Sequence, residues 1–446
     1  MISYIHYMLQ SIRRTYLKKI YKKYIPLRIK NIVYRYRWKI KQNSKVLDLK
    51  IKRLSTSDRP IRVLFIISNI PMWRAQYLYD LLKTDSRFDP KIIVSTFQRY
   101  NQDEQAKYIT QIVTYLSDRG INDYIIADSN LNIEKFMNED FNPDIVFPSQ
   151  YYNNVYGNKL DLEWNTSRIY CHIPYALITI NNQFAYNYKY HNTCWKFYVP
   201  TTLHYRTAKR VMANKGKNVV VVGEPDYDLF MNNGIDPWKK LTDGKKRKRI
   251  IWAPHFAITN TGLLNRASFL WLFDHMLNLA IEYKETVQFA FKPHPHLYNT
   301  LCQLEGWGKE KTDAYYDKWI SMDNTQLEEG DFIDLFKYSD AMIHDCGSFT
   351  GEYMYVNKPV MFTTKNPNII RKGADEFGLK CIDLHYIGKN VDEVKSFIEE
   401  TVLNEADTMA SARKKLYSEY LLPPNGHSVA ENIYKDIVKS FRFNSN

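Results

Sequence analysis

Short apolar runs of strand length alternate with longer amphipathic stretches along most of the chain. Ile61–Ser68 is apolar at almost every position, which is typical of a strand buried on both faces of a sheet. A turn at Asn69-Ile70-Pro71 follows, and apolar residues at helical spacing then predict a helix over Met72–Thr84. Further strands are predicted at Lys91–Thr96, Tyr124–Ala127, Asp144–Phe147, Arg168–Cys171, Phe197–Val199 and Val219–Val222, with helices such as Gln102–Leu116 and Leu203–Met212 between them. This alternation predicts a parallel sheet covered by helices on both faces.

The alternation stops at Asn232–Arg249, where turn residues and a run of basic residues are typical of a linker, and then it starts again. The second half has predicted strands at Ile250–Trp252, Val287–Phe291, Ala341–Ile343, Val360–Phe362 and Cys381–Leu384, and predicted helices at Arg266–Tyr283, Lys309–Ile320, Phe349–Val356, Val391–Val402 and Val429–Phe441. Two Rossmann-like halves joined by a linker predict an α/β protein of GT-B-like architecture, with a ligand cleft between the halves. We expect an N-terminal arm over 1–58, a first domain over 59–232, a linker over 233–249 and a second domain over 250–446 that ends in a closing C-terminal helix.

The arm carries the positive charge of the chain. The 446 residues contain 62 Lys and Arg against 48 Asp and Glu, a formal net charge of +14. Residues 1–60 hold 17 of those cations and two acids, so their net charge is +15, and the remaining 45 basic and 46 acidic residues sum to −1. Apolar residues recur every three or four positions over 1–25 and again over 29–40, with cations and tyrosines between them and Pro26 as an interruption. The pattern predicts basic amphipathic helices, which suit the surface of an anionic membrane.

Two other interpretations of the arm remain open at this stage. Its charges can form a solvated face of helices that pack on the body, and cations interleaved with aromatic residues also suit single-stranded nucleic acid. No RRM, KH or helix-turn-helix signature follows, so we expect no nucleic-acid partner. No apolar run approaches the roughly 20 residues that span a bilayer, and no secretory signal is recognisable. The five cysteines are scattered without a CxxC pair, and we expect neither a metal site nor a cofactor.

Polar residues follow several of the predicted strands, and parallel strands aim the loops at their carboxyl ends into the same cleft. His172 follows the strand at Arg168, Glu224 follows the valine run, and His255 follows the strand at Ile250. Lys292 and His294 follow Val287–Phe291 at alternate positions, so both can point the same way and neutralise a diphosphate. An isolated histidine is more often structural, but an imidazole such as His172 also suits the removal of a proton from an acceptor hydroxyl.

The segment after Ala341–Ile343 predicts an anion site. Asp345, a tight turn at Gly347, and Ser348 with Thr350 as caps of the next helix would direct free backbone N–H groups at a phosphate. Glu352, one turn into that helix, is predicted to bind a ribose diol. The alternative is an ordinary helix cap in which Glu352 is the capping-box partner of Ser348 or Phe349.

These motifs resemble the CDP-glycerol glycerophosphotransferases of teichoic acid and capsule synthesis over about Val219–Ile433. The resemblance is carried by the stretch Ser339–Tyr353 and by Lys358-Pro359-Val360, Lys292-Pro293-His294-Pro295, Trp252-Ala253-Pro254, Val222-Gly223-Glu224-Pro225 and Asn425-Gly426-His427-Ser428. His172 falls where that family has its presumed general base. Cys346-Gly347 replaces the family's Tyr-Ser, and Ile173 replaces the Gly after the histidine.

The resemblance implies a transferase that moves a glycerol-phosphate-like unit from a CDP-alditol to a hydroxyl of a lipid-linked glycan or a teichoic or capsule polymer, and releases CMP. The first domain would then bind the acceptor and the second domain the nucleotide donor. It implies His172 and His294 as catalytic residues, with Lys292, His255, Asp345, Gly347, Ser348, Thr350 and Glu352 at the donor. A peripheral location on the cytoplasmic face of the membrane agrees with the basic arm. The alternative is a GT-B glycosyltransferase that uses a nucleotide sugar.

Overall fold

The computed structural model describes residues 26–97, 100–127, 131–150, 168–180, 185–258 and 267–441. Within these residues the strands form two parallel sheets, one of seven strands and one of six. The strands of the first sheet are β1 Ile61–Ile67, β2 Phe88–Val94, β3 Tyr124–Ile126, β4 Ile145–Pro148, β5 Ile169–His172, β6 Lys196–Val199 and β7 Val219–Val221. Those of the second are β8 Lys248–Ala253, β9 Val287–Phe291, β10 Thr325–Leu327, β11 Ala341–His344, β12 Val360–Thr363 and β13 Tyr386–Gly388. The two-sheet α/β fold predicted from the alternation is confirmed.

Helices connect the strands and cover both faces of each sheet. In the first half they are α1 Leu27–Arg37, α2 Ile40–Leu54, α3 Gln76–Thr84, α4 Gln102–Ser117, α5 Ile133–Lys135 with a π-helical continuation at Phe136–Asp140, α6 Lys189–Thr193, α7 Thr202–Val211 and α8 Asp226–Met231. In the second half they are α9 Phe269–Glu282, α10 Leu297–Cys302, α11 Gly308–Ser321, α12 Ile333–Tyr338, α13 Phe349–Glu352, α14 Pro367–Gly373, α15 Glu376–Ile382, α16 Val391–Ser396, α17 Ala410–Leu416 and α18 Val429–Phe441. Short 3₁₀ turns lie at Ile70–Met72, Tyr353–Val356 and Pro424–Gly426, and π-helical turns extend α16 over Phe397–Leu403 and α17 over Tyr417–Leu421.

The strand orders place a crevice at the same edge of each sheet. The first sheet has the order β3-β2-β1-β4-β5-β6-β7 and the second β10-β9-β8-β11-β12-β13. The direction of winding reverses beside β1 and beside β8, and ligands of open α/β sheets bind outside the carboxyl ends of the strands at such points. The central strands are almost completely buried, as their apolar composition requires; Phe65 and Trp252 are both fully enclosed.

Two predictions differ from the structure, and one strand had not been predicted. Cys381–Leu384 is not a strand, because Cys381 and Ile382 end helix α15 and the strand is β13, three residues long. The strand β10 was not predicted. Its residues Thr325 and Gln326 are buried but polar, so the sequence lacks the apolar run that indicates a strand. The closing helix α18 does not belong to the second domain, since Ile433, Ile437 and Phe441 pack in the core of the first sheet.

The described part of the predicted arm forms helices α1 and α2, whereas the helix predicted over 1–25 lies outside the described residues. One edge of α2 packs on the first sheet through Leu47, Ile51 and Leu54. The described part of the arm is therefore seated on the body and still leaves apolar side chains at its surface, among them Tyr36 and Leu49. Within the described residues, no helix combines the length and apolar character needed to cross a lipid bilayer.

Candidate active site between the two halves

A cleft of about 440 Å³ lies between the carboxyl ends of the two sheets. The first half contributes the turn after β1 and the segment after β5, through Pro71, Met72, Arg74, Tyr175, Ala176 and Ile180. The second half contributes loops that follow β8, β9 and β11. The two halves also meet through backbone, because the Asp375 N–H donates to the Thr179 carbonyl at 3.0 Å. The cleft predicted from the strand ends is therefore present.

Lys292 and His294 lie in the cleft as predicted. Their loop is fixed by two backbone hydrogen bonds to the end of β8 and the residue that follows it, from Lys292 to Trp252 at 2.8 Å and from His294 to Pro254 at 3.0 Å. The Lys292 ammonium is buried and donates to the Gly330 carbonyl at 2.7 Å. Burial lowers its pKa, and Glu328 and Asp331 act in the opposite direction. A cation that already faces a carbonyl and has little water around it attracts an anion strongly.

Three histidines and Phe256 form a cluster at the mouth of this loop. The ring centroids of His255 and His294 are 4.9 Å apart, and those of His294 and His296 are 5.4 Å apart. Nδ1 of His294 accepts the His296 N–H at 3.1 Å, so in the neutral ring the proton is on Nε2. Burial, helped by His255 and His296, lowers the pKa of His294 to about 3. His294 is thus a neutral hydrogen-bond donor at pH 7.

Asp345 lies at the cleft, but protein groups occupy its carboxylate. One oxygen accepts the His255 N–H at 2.5 Å, and the other accepts the Ser268 backbone N–H and, at 2.8 Å, the Ser268 hydroxyl. Burial raises its pKa to about 6, although these hydrogen bonds act to lower it. The direct contact with the donor predicted for Asp345 is not supported by this geometry. Its carboxylate instead holds the loop after β8 and the start of α9 in place.

The segment after β11 differs from the predicted anion site in two respects. Helix α13 has four residues and continues as a 3₁₀ turn, so its dipole is small, and the Ser348 side chain caps no N–H group. Thr350 is buried, and its hydroxyl donates to the Cys346 carbonyl at 3.1 Å, which turns it away from the cleft. Gly347 and Ser348 do line the cleft. A Cβ added at Gly347 would meet no atom within 4 Å, so this glycine leaves space for a ligand and is not required by the turn.

His172 lines an adjoining pocket of about 240 Å³, together with Tyr175, Gly347 and Ser348. The side chain is 1% exposed and packs against aromatic rings, with Phe197 at 5.1 Å and Tyr190 at 5.6 Å between centroids. Burial lowers its pKa to about 3, so the imidazole is neutral at pH 7. Gly347 and Ser348 line both cavities, which places His172 beside the cleft that contains Lys292 and His294.

A buried charge cluster behind the cleft had not been predicted. Arg74, after β1, forms an ion pair with Asp226 at 2.7 Å, and both side chains are nearly inaccessible to water. Glu224 and Glu352 lie near enough to affect the pKa of Arg74: burial works against its charge, but Asp226, Glu352 and Glu224 together raise it. Of these four residues the sequence had indicated Glu224 and Glu352, each as a polar group after a strand. Arg74 is also a polar residue that follows a strand, since it lies just after the turn that follows β1, so the same pattern could have identified it.

Three carboxyl groups and one guanidinium cannot all be charged in a site without water. Burial raises the pKa of Glu352 to about 8, and burial also raises the pKa values of Glu224 and Asp226. The Arg74–Asp226 pair with neutral Glu224 and Glu352 is the arrangement without net charge. The cleft floor therefore presents a guanidinium and a protonated carboxyl, since Arg74 and Glu352 both line it. No group of three or more His, Cys, Asp or Glu side chains in the described ranges could hold a metal ion.

Comparison with solved structures shows proteins of the same fold. A co-structure of S. aureus MnaA with UDP has a TM-score of 0.54 at 16% identity, covering 86% of this chain and 97% of that one. UDP-GlcNAc 2-epimerase from Neisseria meningitidis has 0.54 at 15%, covering 85% and 100%. The wall teichoic acid polymerase TagF, as a variant soaked with CDPG, has 0.55 at 14%, covering 93% and 95%. At these identities the likeness establishes the fold alone.

Sequence comparison gives the family. No protein in the curated set matches significantly. The model of one family, CDP-Glycerol:Poly(glycerophosphate) glycerophosphotransferase, matches residues 174–439, which include every predicted site residue except His172. The resemblance drawn from the strand-end motifs is confirmed. Since the match covers more than half of the chain, this protein belongs to the CDP-glycerol:poly(glycerophosphate) glycerophosphotransferase family of enzymes.

Proposed function

We propose that this enzyme transfers a glycerol-phosphate-like unit from a CDP-alditol to a hydroxyl of a lipid-linked glycan or a teichoic or capsule polymer, releasing CMP. It would act as a peripheral protein on the cytoplasmic face of the membrane. The observation that carries the proposal is one cleft that joins two cations, Lys292 and Arg74, to a neutral donor imidazole, His294, beside a second buried imidazole, His172. That set suits a diphosphate and an acceptor hydroxyl that approaches from the adjoining pocket.

The proposed reaction is a substitution at the phosphorus that bears the alditol. The acceptor oxygen forms a bond to this phosphorus while the bond to the bridging oxygen of the diphosphate breaks, and CMP leaves with that electron pair. His172 takes the proton of the acceptor hydroxyl. Lys292 and the Nε2–H of His294 stabilise the charge that develops on CMP, and Arg74, whose charge is paired with Asp226, donates hydrogen bonds to the rest of the diphosphate.

The protonation states of the free enzyme agree with these roles. His172 is neutral, as a base must be, and a bound anionic donor beside it would raise its pKa, because a nearby negative charge favours imidazolium. Glu352 is protonated at neutral pH and could donate a hydrogen bond to a phosphate or accept one from a ribose hydroxyl. Asp345 positions the loop of His255, and Gly347 and Ser348 leave room between the two cavities.

The first experiment measures CMP release by the full chain given CDP-glycerol and a lipid-linked acceptor. We expect His172→Ala and His294→Ala each to lower the rate at least about tenfold, a threshold below the roughly 10²–10⁴-fold that one acid or base group contributes. His275→Ala is the matched control, because His275 is exposed on α9 and lines neither of the two cavities. If neither of the two variants slows the reaction tenfold, the assignment of roles is wrong.

A second experiment identifies the donor. The thermal unfolding midpoint is measured with CDP-glycerol, CDP-ribitol, UDP-sugars and CMP-sugars, because a ligand that binds the native state raises it. We expect the CDP-alditols to stabilise the protein and Lys292→Met to abolish that shift. Stabilisation by a nucleotide sugar alone would instead favour a glycosyltransferase of the same fold.

A further inference from the structure

A basic groove of about 510 Å³ lies between α1 and the C-terminal end of α7, away from the cleft. Its described lining includes five cations, two from α1 and three from the end of α7 and the turn after it: Arg28, Arg35, Lys209, Arg210 and Lys215. None of the described residues that line it is acidic. Cations gathered around one cavity repel each other, so the arrangement favours an anionic ligand.

The groove has a fixed wall. Asn31, at the middle of α1, is 6% exposed; its Nδ2 donates to the Val211 carbonyl at 3.0 Å, and its Oδ1 accepts from Asn187 at 2.9 Å. Arg28 lies one turn before Asn31 and Arg35 one turn after it, so both guanidinium groups share the face that Asn31 holds against α7. The contact therefore keeps the two arginines opposite Lys209 and Arg210.

Within the described ranges, none of the five cations forms an ion pair with a carboxylate. Arg210 attracts the carboxyl of Asp375 without forming an ion pair with it. Burial raises the pKa of Asp375 to about 7, and its carboxyl accepts the Gly378 N–H at 2.7 Å, so it belongs to the seam between the halves. The positive charge of the groove is available to a ligand.

Apolar side chains stand exposed on α1 beside the groove. Ile29, Val33 and Tyr36 are 49%, 44% and 90% exposed and recur at helical spacing. Ile32, 57% exposed, borders the groove itself. On α2, Leu49 is 69% exposed. An anion site bordered by exposed apolar residues matches the boundary between phosphate groups and acyl chains in a bilayer, and it does not match a soluble polyanion, which offers no apolar surface.

We propose that this groove binds the phosphate of an anionic phospholipid headgroup while the exposed face of α1 enters the acyl boundary. The inference rests on the membrane location in the proposed function and makes it specific: the lipid phosphate is held by a built site, not by diffuse attraction. The ten residues of α7 span about 15 Å from the groove to the opposite end of the helix. There His204 contacts the Ile178 carbonyl at 2.9 Å, and Ile178 lines the pocket of His172. The groove and the pocket of His172 are thus separated by about the length of α7.

The test is sedimentation of the full chain with vesicles of phosphatidylglycerol and phosphatidylcholine at one fixed ionic strength. The triple variant Lys209→Ala, Arg210→Ala, Lys215→Ala should bind at least about thirtyfold more weakly. The matched control Lys41→Ala, Lys45→Ala, Lys52→Ala removes the same charge from the exposed surface of α2. The factor by which it weakens vesicle binding should be less than about a fifth of the factor for the groove variant. Equal losses in the two triple variants would overturn the site in favour of diffuse attraction.

A second variant tests geometry without changing charge. Arg28→Lys with Arg35→Lys keeps every positive charge but removes the forked guanidinium donors, so we expect at least about fivefold weaker vesicle binding. Binding equal to the wild type would overturn the proposal. A third outcome would also overturn the proposal. In it, poly(glycerol phosphate) or an oligonucleotide binds the wild-type chain, and the groove variants lose that binding but still bind vesicles.

The same variants separate this inference from the proposed function. CMP release from CDP-glycerol with a soluble acceptor in detergent should be unchanged in all of them, because the groove lies away from the cleft. A wild-type chain that releases no CMP but binds vesicles through the groove would refute the proposed function and leave the groove proposal standing. A wild-type chain that releases CMP, with groove variants that bind vesicles as well as the wild type does, would refute the groove proposal and leave the proposed function standing.

Discussion

Glu352→Gln should stabilise the protein at neutral pH, although it alters a buried residue of the cleft. Glu352 is 3% exposed, and its Oε2 has no hydrogen-bond partner within the described residues. Burial, with the negative charge of Asp226, raises its pKa from 4.5 to about 8 despite the opposing attraction of Arg74. At pH 7 the folded protein therefore keeps a proton on Glu352 that the unfolded chain has lost.

The difference between the folded and unfolded pKa of Glu352 lowers the free energy of unfolding more as the pH rises. A raised pKa of an acid makes stability greatest below the unfolded value of 4.5, and stability is lost as the pH rises toward the folded value near 8. At about 1.36 kcal/mol per unit, the 2.5 units between 4.5 and 7 correspond to about 3 kcal/mol. Glutamine has nearly the same shape and no proton to keep, so the variant should gain about 2–3 kcal/mol at pH 7 and almost nothing at pH 4.5.

Calorimetric unfolding of the wild type and the variant at pH 4.5, 7 and 8.5 measures the difference. Glu400→Gln, on the exposed surface, is the matched control and should show no gain that depends on pH. A Glu352→Gln protein that is less stable than the wild type at pH 7 would show that Glu352 is ionised and paired with Arg74. In that case the neutral cleft floor described above would be wrong.

Four further substitutions test contacts within the fold. Gly378→Ala would place a Cβ 1.9 Å from the Thr179 carbonyl oxygen and should cost at least about 3 kcal/mol in thermal unfolding, whereas Gly347→Ala, which meets no atom within 4 Å, should leave stability unchanged and weaken donor binding in the thermal-shift assay. Asp345→Asn turns one acceptor oxygen into a donor that faces other donors, and should cost about 2 kcal/mol and raise the KM for the donor. Lys358→Met removes the ammonium that donates to carbonyls at the end of α12, and urea unfolding should show a loss of about 2–3 kcal/mol. An unaltered unfolding midpoint in any of the three destabilising variants would contradict the contact on which it rests.

Most of the fold followed from periodicity. β9 and α18 begin and end at the predicted residues, and β1 and α7 differ from prediction by one residue at one or both ends, because continuous apolar runs and helical spacing are local properties of the chain. β13 and β10 were missed, since short edge strands have partly exposed or polar side chains and give little apolar signal. Helix α18 was assigned to the second domain but packs on the first sheet, because an amphipathic helix does not specify which apolar surface it covers.

The candidate site was predicted in part for the same reason. Lys292, His294 and Gly347 were placed at the cleft because a residue just after a parallel strand must lie at its carboxyl edge. Thr350 and Asp345 were predicted to face a ligand, but their side chains bind the Cys346 carbonyl and the start of α9. Which way a side chain turns depends on partners that lie far along the chain.

The sequence by itself determined the two-half α/β fold, the basic arm and the family, because these depend on spacing, composition and short motifs that persist whatever the partners are. The tertiary structure alone decided the charge state of the cleft. Arg74, Asp226 and Glu352 are more than a hundred residues apart in sequence, and only folding brings them into one enclosure without water. Burial then sets which carboxyl keeps its proton, since the cost of an unpaired charge depends on the surroundings of the group and not on its neighbours in the chain.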